Sequence, residues 1–173
     1  MRIAIIYGST TGVTQRISQQ IKDLLGDIAA EPVDVTLFDP RDVAKYDALL
    51  LGIPTWNIGE MQEDWEDAAS GFLIPEIRGK KIAIFGCGDQ GGYPDTFGDA
   101  HGLLWNILEP AGPALIGTWP TDGYEYDGSA AERDGRFLGL IVDDDHQPEL
   151  SDIRVREWCE QIKRELGLTE VLT

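Results

Sequence analysis

Positive charge is what this chain has least of: 14 Lys and Arg stand against 31 Asp and Glu, a formal net charge of −17 at pH 7. So acidic a surface repels phosphate backbones and anionic lipid, which argues against nucleic acid and membrane surfaces as partners. Any protein partner should carry a basic face. Cysteine is sparse too. Cys87 and Cys159 match no metal-ligand spacing and suggest no disulfide framework. No apolar run approaches the roughly 20 residues that a membrane helix needs. The apolar stretch before Gly8 is too short for a signal-peptide core. The expected setting is the cytoplasm.

What is present alternates. At 173 residues the chain suits one well-buried core and is short for two, so a single domain over 1–173 is expected. The runs IAIIY (3–7), ALLLG (48–52) and KIAIFG (81–86) are continuously apolar, as in strands covered on both faces. VDVTLF (33–38) alternates like a strand. Val13, Ile17, Ile21, Leu24 and Leu25 form a helical stripe that Gly26 stops. A short helix is predicted over 61–71, another over 97–109 with Leu103, Leu104, Ile107 and Leu108 on one side. A last helix is predicted to be capped at Ser151 and to carry Val155, Trp158, Ile162 and Leu166 inward. A fifth strand starts at ALIGTW (114–119), breaks into a polar, turn-rich stretch, and resumes at FLGLIV (137–142). Alternating strands and helices predict an α/β fold with a mostly parallel sheet and helices on both faces.

In such sheets ligands sit beyond the carboxyl ends of the strands. That selects three loops: 8–14, 53–60 and 86–93. The first, GSTTGVT, holds four hydroxyls (Ser9, Thr10, Thr11, Thr14), two glycines and no charge. Free N–H groups at a helix start, joined by those hydroxyls, suit one phosphate monoester. The nucleotide P-loop pattern fails, because Val13 follows Gly12 where lysine is required. An ordinary Ser/Thr-rich cap reads the same way. In the second loop Trp56 follows a buried strand directly, although a lone tryptophan is more often core. The third, GCGDQGGY, has four glycines in eight residues and ends at Tyr93, which fits a mobile turn or the edge of a flat ligand. Together the loops suit a flat heterocycle on a phosphorylated tail.

GSTTGVT, PTWNIGE, GDQGGY and PTDGYEYDGS, in that order, resemble a flavodoxin of the long-chain subgroup along nearly the whole chain. The resemblance implies a doubly wound five-stranded parallel sheet, order 2-1-3-4-5, with strand 5 split by an insertion at about 120–138. That family is itself the standard example of this strand order, with FMN at its switch point, so the order is carried over from it. The resemblance assigns Ser9, Thr10, Thr11, Gly12, Val13 and Thr14 to the FMN phosphate. It makes Trp56 and Tyr93 the walls of the isoalloxazine ring. Asn57 and Ile58 face flavin N5, and Asp89 with its neighbours meets the pyrimidine end. Pro54, Thr55, Gly59, Cys87 and Gly88 complete the implied cofactor-binding set. Val13 and Pro94 are small departures from relatives, and neither threatens FMN binding.

The implied activity is a low-potential one-electron carrier, not an enzyme, moving between semiquinone and hydroquinone. Turning of the Asn57–Ile58 peptide towards N5 would favour the one-electron state. Implied partners are ferredoxin/flavodoxin–NADP reductase, pyruvate:flavodoxin oxidoreductase, nitrogenase reductase or photosystem I, with the carrier a monomer. Between Tyr46 and Glu132 lie fifteen acidic residues and three basic ones (Arg78, Lys80, Lys81). One charge at roughly 12 Å contributes on the order of 0.5 kcal/mol, so several would lower the potential by roughly 50 to 130 mV. Solubility alone would also explain the bias. The rival enzyme reading, an FMN-dependent NAD(P)H:quinone reductase of the same fold, needs room over the ring for hydride transfer. A receiver domain needs carboxylates where this chain has Tyr7-Gly8. Cys87 reads as a buried small residue, His101 has no partner in view, and VDDDHQPE (142–149) lacks the glycine and terminal Glu of a calcium loop and reads as a solvated acidic loop.

Overall fold

The computed structural model describes residues 1–56 and 58–169. Chain order begins β1 (Ile3–Tyr7), α1 (Val13–Leu25), β2 (Val33–Asp34), β3 (Ala48–Gly52), β4 (Thr55–Trp56), β5 (Glu60–Met61), α2 (Glu63–Ala68) and β6 (Lys81–Cys87). It continues with α3 (Asp99–Leu108), β7 (Ala114–Leu115), β8 (Trp119–Pro120), β9 (Glu132–Arg133), β10 (Arg136–Phe137), β11 (Leu140–Val142) and α4 (Pro148–Glu165). The main sheet runs β2-β1-β3-β6-β11, with β7 also paired to β6, and every pairing is parallel. Counting β7 and β11 as two halves of one strand, this is order 2-1-3-4-5 with the fifth strand split.

Strand alternation builds two cores from one sheet. Ile3, Ile5, Leu50 and Ala83 face Ile17 and Ile21 of α1 and Val155, Trp158 and Ile162 of α4. Ala4, Ile6, Leu49, Leu51 and Ile84 face Trp65, Phe72, Leu104 and Leu108 on the other side. Because both faces are covered, the central strands need no polar positions, and IAIIY is buried throughout. Each fully buried Ile or Leu here contributes about 1.5–3 kcal/mol.

Four local readings change. The strand predicted over 33–38 stops at Asp34, whose carboxylate accepts the Thr36 N–H at 2.9 Å and its hydroxyl at 2.7 Å. That side chain bends Val35–Leu37 into a 3₁₀ turn and leaves Leu37 81% exposed. In α3 the inward stripe is Ala100, Leu104 and Leu108, four apart, so Leu103 points outward. The last helix starts three residues before Ser151, at Pro148, whose fixed φ suits a first helical position. Ser151 lies inside the helix and donates to Asp144 at 2.6 Å. Finally, 142–149 is not wholly solvated: Asp143 is completely buried.

The insertion between β7 and β11 forms a small antiparallel sheet, order β8-β10-β9. Its β9–β10 turn is Asp134-Gly135, both at positive φ (53° and 76°), the Asp-Gly hairpin signal. Beneath it Tyr124, Tyr126 and Phe137 pack on Phe97 at centroid distances of 5.6–5.8 Å. The Tyr124 hydroxyl donates to the Ile141 carbonyl at 2.6 Å.

Candidate functional site

At the carboxyl edge of the sheet, β1 hands the chain to Gly8, whose N–H donates to the Gly52 carbonyl at 3.0 Å. A Cβ at Gly8 would lie 2.3 Å from Gln62 Oε1 and 2.7 Å from Trp65 Cδ1, so only glycine lets the loop pass over α2. The loop returns through Gly12, at φ 89°, which serves as the N-cap of α1. Ser9 Oγ accepts the Gly12 N–H at 3.0 Å and curls the loop on itself. α1 has no side-chain cap and no acid in its first turn, so its leading N–H groups are left for an outside acceptor. Thr14 is buried, whereas Thr10 and Thr11 are exposed with their hydroxyls at the rim. Gln62 donates to Thr10 Oγ1 at 3.3 Å and to Asp64 at 2.8 Å, bracing the loop from α2.

The second loop is a hairpin. β4 and β5 pair Thr55 with Met61 and Trp56 with Glu60. The Thr55 hydroxyl accepts the Ala100 N–H at 3.3 Å, fixing the hairpin on the start of α3. Gly59, at φ 79°, passes so near Asp99 that a Cβ would lie 2.6 Å from its Oδ2. Ile58 at the tip is 76% exposed. Asn57 lies outside the described residues. Trp56 is half-buried, and its indole N–H is buried without an acceptor among the described residues.

The third loop leaves β6 at Cys87. Asp89 accepts the Gly92 N–H at 2.6 Å, and its own carbonyl accepts the Tyr93 N–H at 3.0 Å. Tyr93 stands 44% exposed at the groove's edge. Burial alone would raise Asp89; the Gly92 N–H and the His146 ring outweigh it and hold the carboxyl below its ordinary pKa.

These loops enclose a groove of about 470 Å³ lined by Thr11, Val13, Pro54, Thr55, Trp56, Cys87, Gly88, Asp89, Tyr93, Asp144 and Asp145. That volume suits a small cofactor. Thr10 lies in an adjoining cleft with Trp56 and Gln62, while Gly12 borders a separate hollow with Tyr7 and Arg16. Asp144 and Asp145, which sequence reading left in a solvated loop, arrive on the turn after β11. Asp144 is held by Arg16 of α1. Cys87 lies 3.8 Å from the Thr14 hydroxyl, and burial pushes its thiol up to about 11, so it stays protonated and unreactive. His101 is completely buried; burial drives its pKa down to about 4, against an opposing pull from the Ile53 backbone.

Asp89, Asp143 and His146 bring ligand-type atoms within 4.8 Å of one another. Asp143, however, already accepts three backbone N–H groups, from Gln90 (2.9 Å), Asp145 (3.1 Å) and His146 (3.0 Å). The trio is an internal clasp. Asp143 and Gln90 could not have been found from composition, because each acquires its role from a neighbour more than fifty residues away.

Comparison with known proteins gives one answer. The Flavodoxin family model matches residues 5–158. A flavodoxin of Haemophilus influenzae is 44% identical over 170 residues, covering 98% of each chain. Flavodoxin 1 of Escherichia coli K12 is 44% identical over 169 residues, covering 97% of this chain and 96% of that one. Among solved structures, the Fusobacterium nucleatum flavodoxin bound to flavin mononucleotide superposes with a TM-score of 0.87 at 28% identity, covering 95% of this chain and 98% of that one.

Proposed function

The chain belongs to the flavodoxin family, in its long-chain form, and from that premise we propose how its three loops hold FMN and tune it. It is an FMN-based electron carrier and an electron-transfer protein, not an enzyme. Its partners are redox proteins. Bound FMN supplies reversible electron uptake; binding and tuning fall to the side chains and main chain around the groove.

The observation that carries the assignment of the groove is the Trp56 indole. A buried N–H without an acceptor costs about 1–3 kcal/mol, and a chain keeps one where a ligand completes it. Around that donor, loop 8–14 offers only neutral N–H and hydroxyl groups to the phosphate, through Ser9, Thr10, Thr11, Gly12, Val13 and Thr14. Trp56 and Tyr93 stand at the groove as the two ring walls. Ile58 and Gly59, at the hairpin tip, face the flavin's reactive edge. Gly88, which packs so closely on Phe97 that a Cβ would lie 2.9 Å from its ring, brings the main chain of the third loop to the pyrimidine end, and Asp89 shapes that loop through Gly92. Cys87 and the Pro54–Thr55 pair close the floor.

The charges act on electron uptake. Asp89, Asp144 and Asp145 line the groove, and Glu63 and Glu66 of α2 are exposed in the adjoining cleft. Each resists added negative charge on the ring by roughly 0.5 kcal/mol at about 12 Å, which favours a low potential. The same face suits basic docking surfaces, such as those of ferredoxin/flavodoxin–NADP reductase, pyruvate:flavodoxin oxidoreductase, nitrogenase reductase or photosystem I, and the carrier is read as a cytoplasmic monomer. No helix among the described residues is long and apolar enough to cross a membrane.

Anaerobic reductive titration of the yellow holoprotein, followed by absorption, tests the reading. Two separated one-electron steps are expected, with no bleaching by NAD(P)H alone. Rapid bleaching by NAD(P)H, or a single two-electron step, would reject it.

A further inference from the structure

One side chain from a distant part of the sequence fastens the loop that carries Tyr93. His146, in the turn between β11 and α4, places Nε2 2.7 Å from Asp89 Oδ1. Its ring rests on Gly91: a Cβ there would come 2.3 Å from Cε1 and 2.4 Å from Nε2. Gly91 does not need a positive φ, so the imidazole is the steric reason for glycine at this position. Asp89 joins the ring to the main chain, since it also takes the Gly92 N–H at 2.6 Å and lies one hydrogen bond from the Tyr93 N–H. The other end of the clasp is fixed by buried Asp143, which accepts the His146 N–H at 3.0 Å and the Gln90 N–H at 2.9 Å. The turn therefore grips a glycine-rich loop at two points, buried Asp143 on the Gln90 N–H and the more exposed His146 ring on Asp89.

We propose that His146 is a positioning residue for FMN binding: its imidazolium clasps Asp89, holds loop 88–93 with Tyr93 in the receiving position, and makes FMN affinity depend on proton uptake at the ring. The inference rests on the groove being the FMN site. The charged groups facing the imidazole are Asp89 from the loop after β6 and Asp143 and Asp145 from its own turn; Asp144 is engaged by Arg16 and Ser151 instead. The Asp89 hydrogen bond, partly opposed by desolvation and aided by the acids of the turn, raises the pKa of His146 above its ordinary 6.5. A raised base keeps its clasp fully below the unclasped value and loses it as pH rises through the raised one. The clasp should therefore favour FMN binding most fully below pH 6.5 and progressively less as pH rises above it.

Flavin-stripped full-length protein is titrated with FMN by fluorescence quenching from pH 6 to 8.5, with a chelator present. Wild type, His146→Gln, His146→Arg, and Gly91→Ala in the wild-type and His146→Gln backgrounds are compared. Ionisation of the FMN phosphate affects all variants alike, so the ratio to wild type is the reading. For a half-exposed pair, the His146→Gln to wild-type Kd ratio should be about two- to five-fold at pH 6 and fall towards one as pH rises through the raised His146 pKa. His146→Arg should bind tightly without that pH dependence. Gly91→Ala should weaken FMN binding only where His146 is present. With just two histidines in the chain, His146 C–H resonances can be followed by NMR, and their pKa should fall to the ordinary value in Asp89→Asn. A pH-independent Kd ratio, or an unshifted His146 in the wild type, overturns the inference. Failure of the wild type to bind FMN at any pH overturns the reading of the groove itself.

Discussion

The Trp65 indole N–H donates to the Gly52 carbonyl at 2.7 Å, and that same oxygen accepts the Gly8 N–H at 3.0 Å. One acceptor thus ties α2 to the ends of β1 and β3, where the first two loops begin. Trp65→Phe removes the donor and part of a fully buried side chain. A loss of about 2 kcal/mol in urea denaturation of the flavin-free protein is expected. Gly8→Ala should cost a further about 1–3 kcal/mol than a surface substitution, because its methyl must displace Gln62 and Trp65 together. Unchanged midpoints in both variants would refute the coupling.

Trp56 should matter in one measurement and not in another. Its buried N–H, without an acceptor among the described residues, adds no hydrogen bond to the flavin-free fold. Trp56→Phe should therefore leave urea stability within about 0.5 kcal/mol of wild type. If FMN supplies the acceptor, the same change should weaken its binding about five- to thirty-fold, the value of one buried hydrogen bond. Equal losses in both measurements would make the tryptophan merely structural.

Those two residues also mark how far sequence reading reaches. IAIIY, ALLLG and KIAIFG were legible as strands because burial on both faces leaves no other pattern; their parallel direction followed from the alternation of strands and helices, and their order from the family resemblance. VDVTLF misled because alternation reports face preference but not the competition between Asp34 and the β ladder for the Thr36 N–H. Ser151 resembled a cap because Asp144, its actual partner, is seven residues back in the turn rather than on the helix backbone. Loops 8–14, 53–60 and 86–93 were legible by composition and position at strand ends. Gln62, Trp65, Asp143 and His146 were not, because each gains its role only when distant segments fold together. Asp134-Gly135 was readable as a hairpin and went unread inside a stretch taken as merely turn-rich.

His101 should make stability fall on mild acidification. Burial holds its folded pKa near 4, well below an unfolded value of about 6.5. Between those limits the unfolded chain binds the extra proton, so stability is whole above about pH 6.5 and drains away towards pH 4. The loss between pH 7 and pH 5 should be about 2 kcal/mol in urea denaturation of the flavin-free protein. His101→Leu should flatten that interval, while carboxylate effects below pH 5 persist in both. Matching pH profiles for the two proteins would count against this assignment.

Cys87 should be chemically silent even though it lines the groove. With its thiol raised to about 11, roughly a thousandth is thiolate at pH 8. Iodoacetamide should modify native flavin-free protein at least about a hundred-fold more slowly than the urea-unfolded chain at that pH. Cys87→Ala should leave the two-step shape of the reductive titration intact. Fast native alkylation at Cys87, located by peptide mapping, would restore a redox reading for this thiol.

Arg16 and Asp144 provide a test of the groove's electrostatics that leaves the loops untouched. Arg16 on α1 pairs with Asp144, and Asp144 lines the groove. Arg16→Gln removes the cation and leaves the carboxylate unbalanced. At roughly 12 Å this should lower the potential of the second electron by about 10–30 mV. Asp144→Asn should raise it by a similar amount, since its remaining oxygen can still accept the Ser151 hydroxyl. The double variant should return close to wild type, because the two removed charges cancel at the ring. Raising ionic strength from about 0.01 to 0.5 M should shrink both single shifts, because the Debye length drops from about 30 Å to below 8 Å. Spectroelectrochemical titration of the four proteins reads all of this directly. Shifts that survive high salt, or that fail to cancel, would mean the substitutions act by moving the turn after β11 and not by charge.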